Sequence, residues 1–248
     1  MKIETGNFTI YCGDALKIMG DLQADMLFTD PPYPITEGGN TTGEMGGAFS
    51  RDRYDNSGNF FEDMPEWHEL MPLLFSCLKP QAHAYIMAND KNLRDMLNSA
   101  HEAGFRFHNC LPWDKGTVTP NRWYMKQAEF TGFFFKGKAF PITDCSSKQI
   151  ARVPADDQSQ HFVVPDEEGN RHGHPTEKPV HLMRHYITNS SQPGQVVIDP
   201  FMGTGSTGVA ALLEGRRFIG IEKDERWFEV ARKRLEEAAV RGVQIRMI

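Results

Sequence analysis

The stretch QVVIDPFMGTGSTGVAALLEGRRFIGIEKD, Gln195 to Asp224, constrains the fold more than any other part of the chain. An apolar run, VVID, stops at Asp199-Pro200 and passes into glycines at 203, 205 and 208. An apolar helical segment then ends at Gly215, and a second short apolar run, RFIGIEKD, follows. Short, nearly all-apolar runs bounded by turn residues read as strands buried on both faces. Strand, glycine turn, helix and strand in succession make a βαβ unit, which requires a parallel neighbour and a helix lying across the sheet.

The same alternation recurs. ADMLFTD is an apolar run stopped by Pro31 and Pro32. FEDMPEWHELMPLLFSCL, Phe61 to Leu78, predicts a helix with Trp67, Leu70, Leu74 and Leu78 on one face. AHAYIMAN predicts a strand, and DKNLRDMLNSAHEAGF a helix capped by Asn89 or Asp90 and closed by Gly104. FRFHNCLPW is a further strand, KPVHLMRHYITNSS a further helix. The last helix carries Phe228, Ala231, Leu235 and Ala238 on its inward stripe. Ile3 to Tyr11 alternates loosely and predicts one edge strand. The fold class is therefore α/β, with a mostly parallel sheet covered by helices on both faces. A chain of 248 residues, 40% hydrophobic, suffices for one such domain.

Two stretches break the pattern. Ile35 to Asn59 is glycine-rich, polar and without a period, which predicts a long functional loop, mobile in the free chain. Asp114 to His174 is irregular apart from the aromatic, sheet-like EFTGFFFKGKAF. The expected organisation is 1–115 as one half of a domain (with the loop at 35–59), 116–172 as an insert, and 173–248 as the other half.

Composition removes several alternatives. Cys12, Cys77, Cys110 and Cys145 form no Cys-x-x-Cys pair, and the spacing of His161, His172 and His174 matches no zinc pattern, so no metal is expected. The first residues have no apolar targeting core, and no apolar run is long enough to span a bilayer; a cytoplasmic protein with no membrane partner is expected. A net charge of -6 gives no global signature of nucleic-acid binding. Locally the picture reverses: from Pro112 to Arg152, seven basic side chains stand against three acids, with Trp113, Trp123 and Tyr124 among them. An acidic protein can present one positive face this way.

Gly203, Gly205 and Gly208 satisfy G-x-G-x-x-G, and Glu222 follows one βαβ step later. Glycines let a backbone approach a ligand, and a carboxylate accepts from two vicinal hydroxyls. The pattern predicts a nucleotide whose ribose meets Glu222. NAD and S-adenosylmethionine both carry that ribose, and a turn without ligand has the same sequence. Asp199-Pro200 in front is atypical of the dinucleotide fingerprint.

Three segments stand in one order: DPPY at Asp30 to Tyr33, HPTEKP at His174 to Pro179, and DPFMGTGSTGVAAL at Asp199 to Leu212. Together they resemble the permuted, beta-class amino-methyltransferases of DNA, over roughly Phe8 to Pro34, Phe60 to Trp113 and Gly173 to Leu235. The resemblance implies a Rossmann-like, S-adenosylmethionine-dependent fold with a seven-stranded, mostly parallel sheet, one reversed strand, and circularly permuted motif order. It implies S-adenosyl-L-methionine as cofactor, held by Phe201, Gly203, Gly205 and Thr207 in the turn that Asp199 opens. Glu222 would take the ribose, Asp14 the adenine end, and Thr176 with Lys178 the methionine end. Asp30 and the Pro31 carbonyl would accept both hydrogens of a target amine, Pro31 and Pro32 would stiffen that backbone, and Tyr33 would stack on the extruded base.

Double-stranded DNA is the partner so implied, with residues 116–172 as the target-recognition insert. Arg122, Lys126, Lys136 and Lys138 are the candidate phosphate contacts, and Arg51 and Arg53 would close over DNA from the glycine-rich loop. An acid rather than a serine before Pro31 points to adenine N6 over cytosine N4. No Pro-Cys pair supports C5 chemistry. RNA amino-methylation, an NAD-dependent oxidoreductase resting on the glycine pattern, and a non-catalytic DNA-binding module are the rival readings. Dimerisation is common in that family, and the apolar face of Phe61 to Leu78 is the surface expected to serve it. A cognate restriction endonuclease in a bacterial or phage-infected cell is the further partner implied.

Overall fold

The computed structural model describes residues 1–33, 64–119, 124, 126–152 and 177–246. In chain order the strands are β1 (Lys2–Glu4), β2 (Phe8–Cys12), β3 (Ala24–Thr29), β4 (Leu78–Ala88), β5 (Arg106–Thr119), β6 (Lys126–Phe135), β7 (Ala151–Arg152), β8 (Val196–Asp199) and β9 (Arg217–Glu222). The helices are α1 (Ala15–Ile18), α2 (Trp67–Ser76), α3 (Leu93–Glu102), α4 (Val180–Ser190), α5 (Ser206–Leu213) and α6 (Glu225–Arg246). The strands form one sheet in the order β1-β2-β9-β8-β3-β4-β6-β5-β7. From β2 to β4 all neighbours are parallel, and β6 runs against both β4 and β5. The seven strands from β2 to β5 thus contain one reversed member, as expected. The three-residue β1 and two-residue β7 extend the two edges.

Strand alternation divides the core in two. Met26 and Phe28 of β3, Tyr85 and Met87 of β4 and Val197 of β8 pack with α4, α5 and α6. Leu27, Ala84, Ile86 and Ile198 point the other way, towards α1, α2 and α3. Every residue of β3 except Asp25 is buried, which explains its unbroken apolar spelling. Gly208 sets the spacing of α5. A Cβ there would lie 2.5 Å from Leu235 and 2.6 Å from Phe218, so only glycine allows the helix to sit this close to α6 and β9.

This topology creates one crevice. β8 continues through α5 to β9 on one side, whereas β3 leads through α2 to β4 on the other, and α5 and α2 cover opposite faces. The order therefore switches between the adjacent strands β8 and β3, and ligands bind beyond the carboxyl ends of strands at such a point. Asp199 and Asp30 stand at those two ends.

Several expectations need correction. Ile3 to Tyr11 is two antiparallel strands, because the Thr5 hydroxyl accepts the amides of Asn7 and Phe8 and turns the chain. The 116–172 insert is not separate from the sheet: 115/116 falls inside β5, and β6 is the reversed strand between β4 and β5. Phe133 and Phe134 of its aromatic run are core, with Phe133 stacked on Tyr85 at 4.7 Å. Within 116–172, residues 153–172 lie outside the described residues, as does the loop at 35–59. Among the described residues of Phe61 to Leu78, the helix spans Trp67–Ser76, and Leu78 opens β4. Trp67, Leu70, Leu74 and Leu78 are all buried against the chain's own sheet, so this face is not available to a second copy.

Candidate active site

The turn after β8 is pinned from three directions. Asp199 is buried and accepts from the Thr29 hydroxyl at 2.8 Å, the Thr207 hydroxyl at 2.6 Å and the Phe201 amide at 3.1 Å. Burial nevertheless outweighs these donors and the carboxyl is pushed up to about 6. Gly203 and Gly205 take φ of 51° and 81°, the left-handed region that glycine enters without strain. From α6, Arg234 donates to the Thr204 carbonyl and hydroxyl, both at 2.8 Å, and pairs with Glu177 at 3.0 Å. Burial holds the Arg234 guanidinium below its usual range, with the Glu177 charge opposing the shift.

At the end of β9, Glu222 accepts the Gly203 amide at 2.9 Å on one oxygen and the Asp224 amide at 2.8 Å on the other. Burial raises its carboxyl above the ordinary range, against these amide donors. The Gly13 amide donates to the Glu222 carbonyl at 2.8 Å, joining the loop after β2 to this one. Asp14 follows, accepting the Leu16 amide at 3.0 Å as the cap of α1. Asp14, Phe201, Gly203, Gly205 and Glu222 therefore share one end of the sheet. Each carboxylate oxygen of Glu222 has a lone pair beyond its backbone bond, which is what a ribose diol requires. The site of an adenosyl group is thus matched by its donor set and by a glycine backbone that projects no side chains.

Across the crevice, Asp30 follows β3. Its Oδ2 is paired with the Lys178 ammonium, while Oδ1 is buried and without a hydrogen-bond partner among the described residues. Burial raises the Asp30 carboxyl, Lys178 opposes the rise, and Glu129 adds to it. Lys178 also reaches Glu129 at 3.6 Å, and Glu129 meets Lys115 at 3.4 Å. Burial works against the Lys178 charge, but Asp30 and Glu129 overcome it and hold the ammonium above its usual range. Tyr33 lies nearly parallel to Trp67, the first residue of α2, at 6.3 Å and 20°. Burial, then the charges of Asp30 and Glu129, keeps the Tyr33 phenol protonated far into the alkaline range. Below these residues Phe28, Tyr85 and Tyr186 stack at 4.7–6.4 Å, giving β3 a rigid floor.

The structure redistributes the predicted roles. Asp199 and Thr207 are buried and spent on each other, so they shape the turn from within. Lys178, expected near a methionine end, has its ammonium on Asp30. Lys126 lies at the site's end of β6 and pairs with Asp90 at 2.8 Å. Lys136 sits at the other end of the same strand, donating to the Phe75 and Leu78 carbonyls at 2.7 and 2.6 Å; Lys138 follows it there. Neither belongs with Asp30. Arg51, Arg53, Arg122 and Thr176 lie outside the described residues. Sequence reasoning missed Thr29, Glu129, Glu177 and Arg234. A single acid in the aromatic run of β6 and an acid inside HPTEKP were the available signals.

The chain is similar to known proteins over most of its length. The family model for N6/N4 methyltransferases, described as DNA methylase, matches residues 24–233. A type II methyltransferase of Moraxella bovis, M2.MboI, is 28% identical over 93% of this chain and 88% of its own. M2.DpnII of Streptococcus pneumoniae is 29% identical over 86% and 82%. Among solved structures, the M1.HpyAVI–SAM complex superposes with a TM-score of 0.65 at 24% identity, covering 92% of this chain and all of the other. The cytosine-N4-specific PvuII DNA methyltransferase gives 0.65 at 18%, covering 97% and 93%.

Proposed function

The chain belongs to the N6/N4 DNA methylase family, and from that premise we propose that it transfers the methyl group of S-adenosyl-L-methionine to the N6 amine of an adenine flipped from duplex DNA. The observation that carries this reading is Asp30 Oδ1, a buried carboxylate oxygen without a partner among the described residues, beside the glycine turn at the switch point.

When bound, S-adenosyl-L-methionine supplies an electrophilic methyl on a sulfonium. Glu222 holds the ribose hydroxyls, Asp14 borders the adenine end, and the backbone at Gly203 and Gly205 leaves room beside Phe201. Asp199, Thr207 and Arg234 keep that turn in shape before any ligand arrives, so little reorganisation is left for the reaction. The exocyclic amine of adenine is a poor nucleophile, because its lone pair is shared with the ring. Asp30 Oδ1 and the Pro31 carbonyl accept its two hydrogens, favour a more tetrahedral nitrogen and stabilise the positive charge that grows there. Pro31 and Pro32 fix the backbone that presents both acceptors. Tyr33, backed by Trp67, offers a flat face to the extruded base. The nitrogen proton lost after transfer passes to solvent; Asp30 is charged before and after.

An acid before Pro31 is the reason to prefer adenine to cytosine N4. The glycine turn, DPPY and the intervening strands fall within one family match, which removes the case for hydride transfer. The test is transfer of tritium from labelled S-adenosyl-L-methionine to unmodified genomic DNA, followed by digestion and separation of nucleosides. Label in N6-methyldeoxyadenosine is expected. Label in N4-methyldeoxycytidine would keep the mechanism and overturn the base; no label in DNA, with transfer to RNA in a parallel assay, would overturn the substrate.

A further inference from the structure

Four charges line one wall of the crevice: Lys115 from β5, Glu129 from β6, Lys178 just before α4, and Asp30 after β3. They alternate in sign and sum to zero. Lys115 and Lys178 are 8% and 7% exposed, so water screens them little. Glu129 divides its oxygens between the two lysines, Oε1 to Lys115 at 3.4 Å and Oε2 to Lys178 at 3.6 Å. The methyl-transfer mechanism uses Asp30 and gives Glu129 no task.

We propose that Glu129 is a positioning residue of the transfer reaction: it holds the Lys178 ammonium between itself and Asp30, so that Lys178 occupies Oδ2 and leaves Oδ1 to the incoming amine. The proposal rests on the methyl-transfer reading and deepens it. An ammonium has three donors and no directional fork. Held by Asp30 alone, it would be free to bridge both oxygens and compete with the substrate for Oδ1. A second carboxylate on the far side removes that freedom. The β5–β6 register is what makes this possible, since it places Glu129 opposite Trp113, two residues before Lys115. Among the described residues, the groups facing Asp30 are Lys178, Glu129, Asp199 of β8 and Tyr33 of its own segment, with Lys115 acting through Glu129.

Two measurements test this. The first uses the free chain, without cofactor or DNA, and follows the Asp30 carboxyl by carbon-13 NMR through a pH titration. Glu129→Gln should lower the Asp30 midpoint, because a nearby negative charge is gone; Lys178→Met should raise it, because the compensating cation is gone. Unmoved midpoints, or shifts in the same direction, would overturn the arrangement. The second measures transfer at saturating cofactor and DNA. Glu129→Gln should lower kcat about tenfold to a hundredfold, the scale of a misplaced reacting group. KM for DNA should stay within about threefold, and Glu129→Asp should recover part of kcat. An unchanged kcat would sink the proposal, as would a change confined to KM, which would make Glu129 a substrate contact. Failure of the unaltered chain to methylate any DNA would instead sink the functional reading, while the opposed titration shifts would still decide the charge arrangement.

Discussion

The crevice is flanked by two copies of the same dipeptide, Asp30-Pro31 after β3 and Asp199-Pro200 at the end of β8, on adjacent parallel strands. Their carboxylates have opposite lives. Asp199 spends both oxygens on Thr29, Thr207 and the Phe201 amide. Asp30 gives one oxygen to Lys178, and the other has no hydrogen-bond partner among the described residues. A buried acceptor left unmade costs stability, and a fold tolerates that cost where something else is to be bound. The lesson is that Asp-Pro at a strand end says where a carboxylate will be. Its neighbours decide whether it fastens the fold or waits for substrate.

The contrast breaks most visibly at Asp30. Asp30→Ala should lower methyl transfer by about a thousandfold, the scale of lost transition-state acceptors, while DNA affinity changes little; the buried Lys178 ammonium loses its partner, so stability falls as well. Retained transfer would mean that the wrong aspartate has been given the chemistry. Asp199→Ala should act through the fold, costing about 3 kcal/mol of stability in urea unfolding and loosening the turn, because two buried hydroxyls and an amide lose their acceptor.

A pH series sharpens the comparison further. The Asp199 carboxyl titrates at about 6 in the folded chain, above its ordinary value of 3.8. The folded state therefore holds a proton that the unfolded state releases, and this contribution is full below the unfolded value and lost as pH rises through about 6. Between about pH 4 and 6 the unaltered chain should lose on the order of 2 kcal/mol relative to Asp199→Asn; parallel stability curves would refute the assignment. The smallest effect belongs to the far end of the sheet. Lys136→Gln should cost about 1 kcal/mol through its carbonyl contacts. DNA affinity and its salt dependence should not move, whereas a genuine phosphate contact would flatten the salt slope.

Much of the fold was legible because local spelling and tertiary role coincide. β8, α5 and β9 follow from one run of glycines and apolar residues, and the stripe Phe228, Ala231, Leu235 and Ala238 is buried as its spacing requires. The Ile3 to Tyr11 segment misled because a threonine hydroxyl can turn a chain that otherwise alternates. β6 misled because a continuous aromatic run states burial and not the partner. Of the site, the backbone-built half was readable: Gly203, Gly205 and Glu222 lie close in sequence and must meet. The charge cluster was not: Asp30 and Lys178 were named singly, and their meeting was not read. Asp30, Lys115, Glu129 and Lys178 come from four separate segments, and only the β5–β6 register and the return of the chain before α4 bring them together. Arg234 and Glu177 were hidden for the same reason.

The hydrogen bond from Thr29 to Asp199 spans 170 positions of chain. Its strands sit at the middle of the sheet, and the neighbouring pair from Phe8 to Phe218 is separated still further. A ribosome making this protein therefore releases β2 and β3 long before it has made the strands that lie between them. Until β8 and β9 emerge, those early strands have open edges where the centre of the sheet should be. Contacts of such separation are slow to close, because a long loop must be ordered before they give anything back. A chain that has not yet made β8 and β9 cannot assemble the crevice, and the activity of this protein begins only once both have been synthesised.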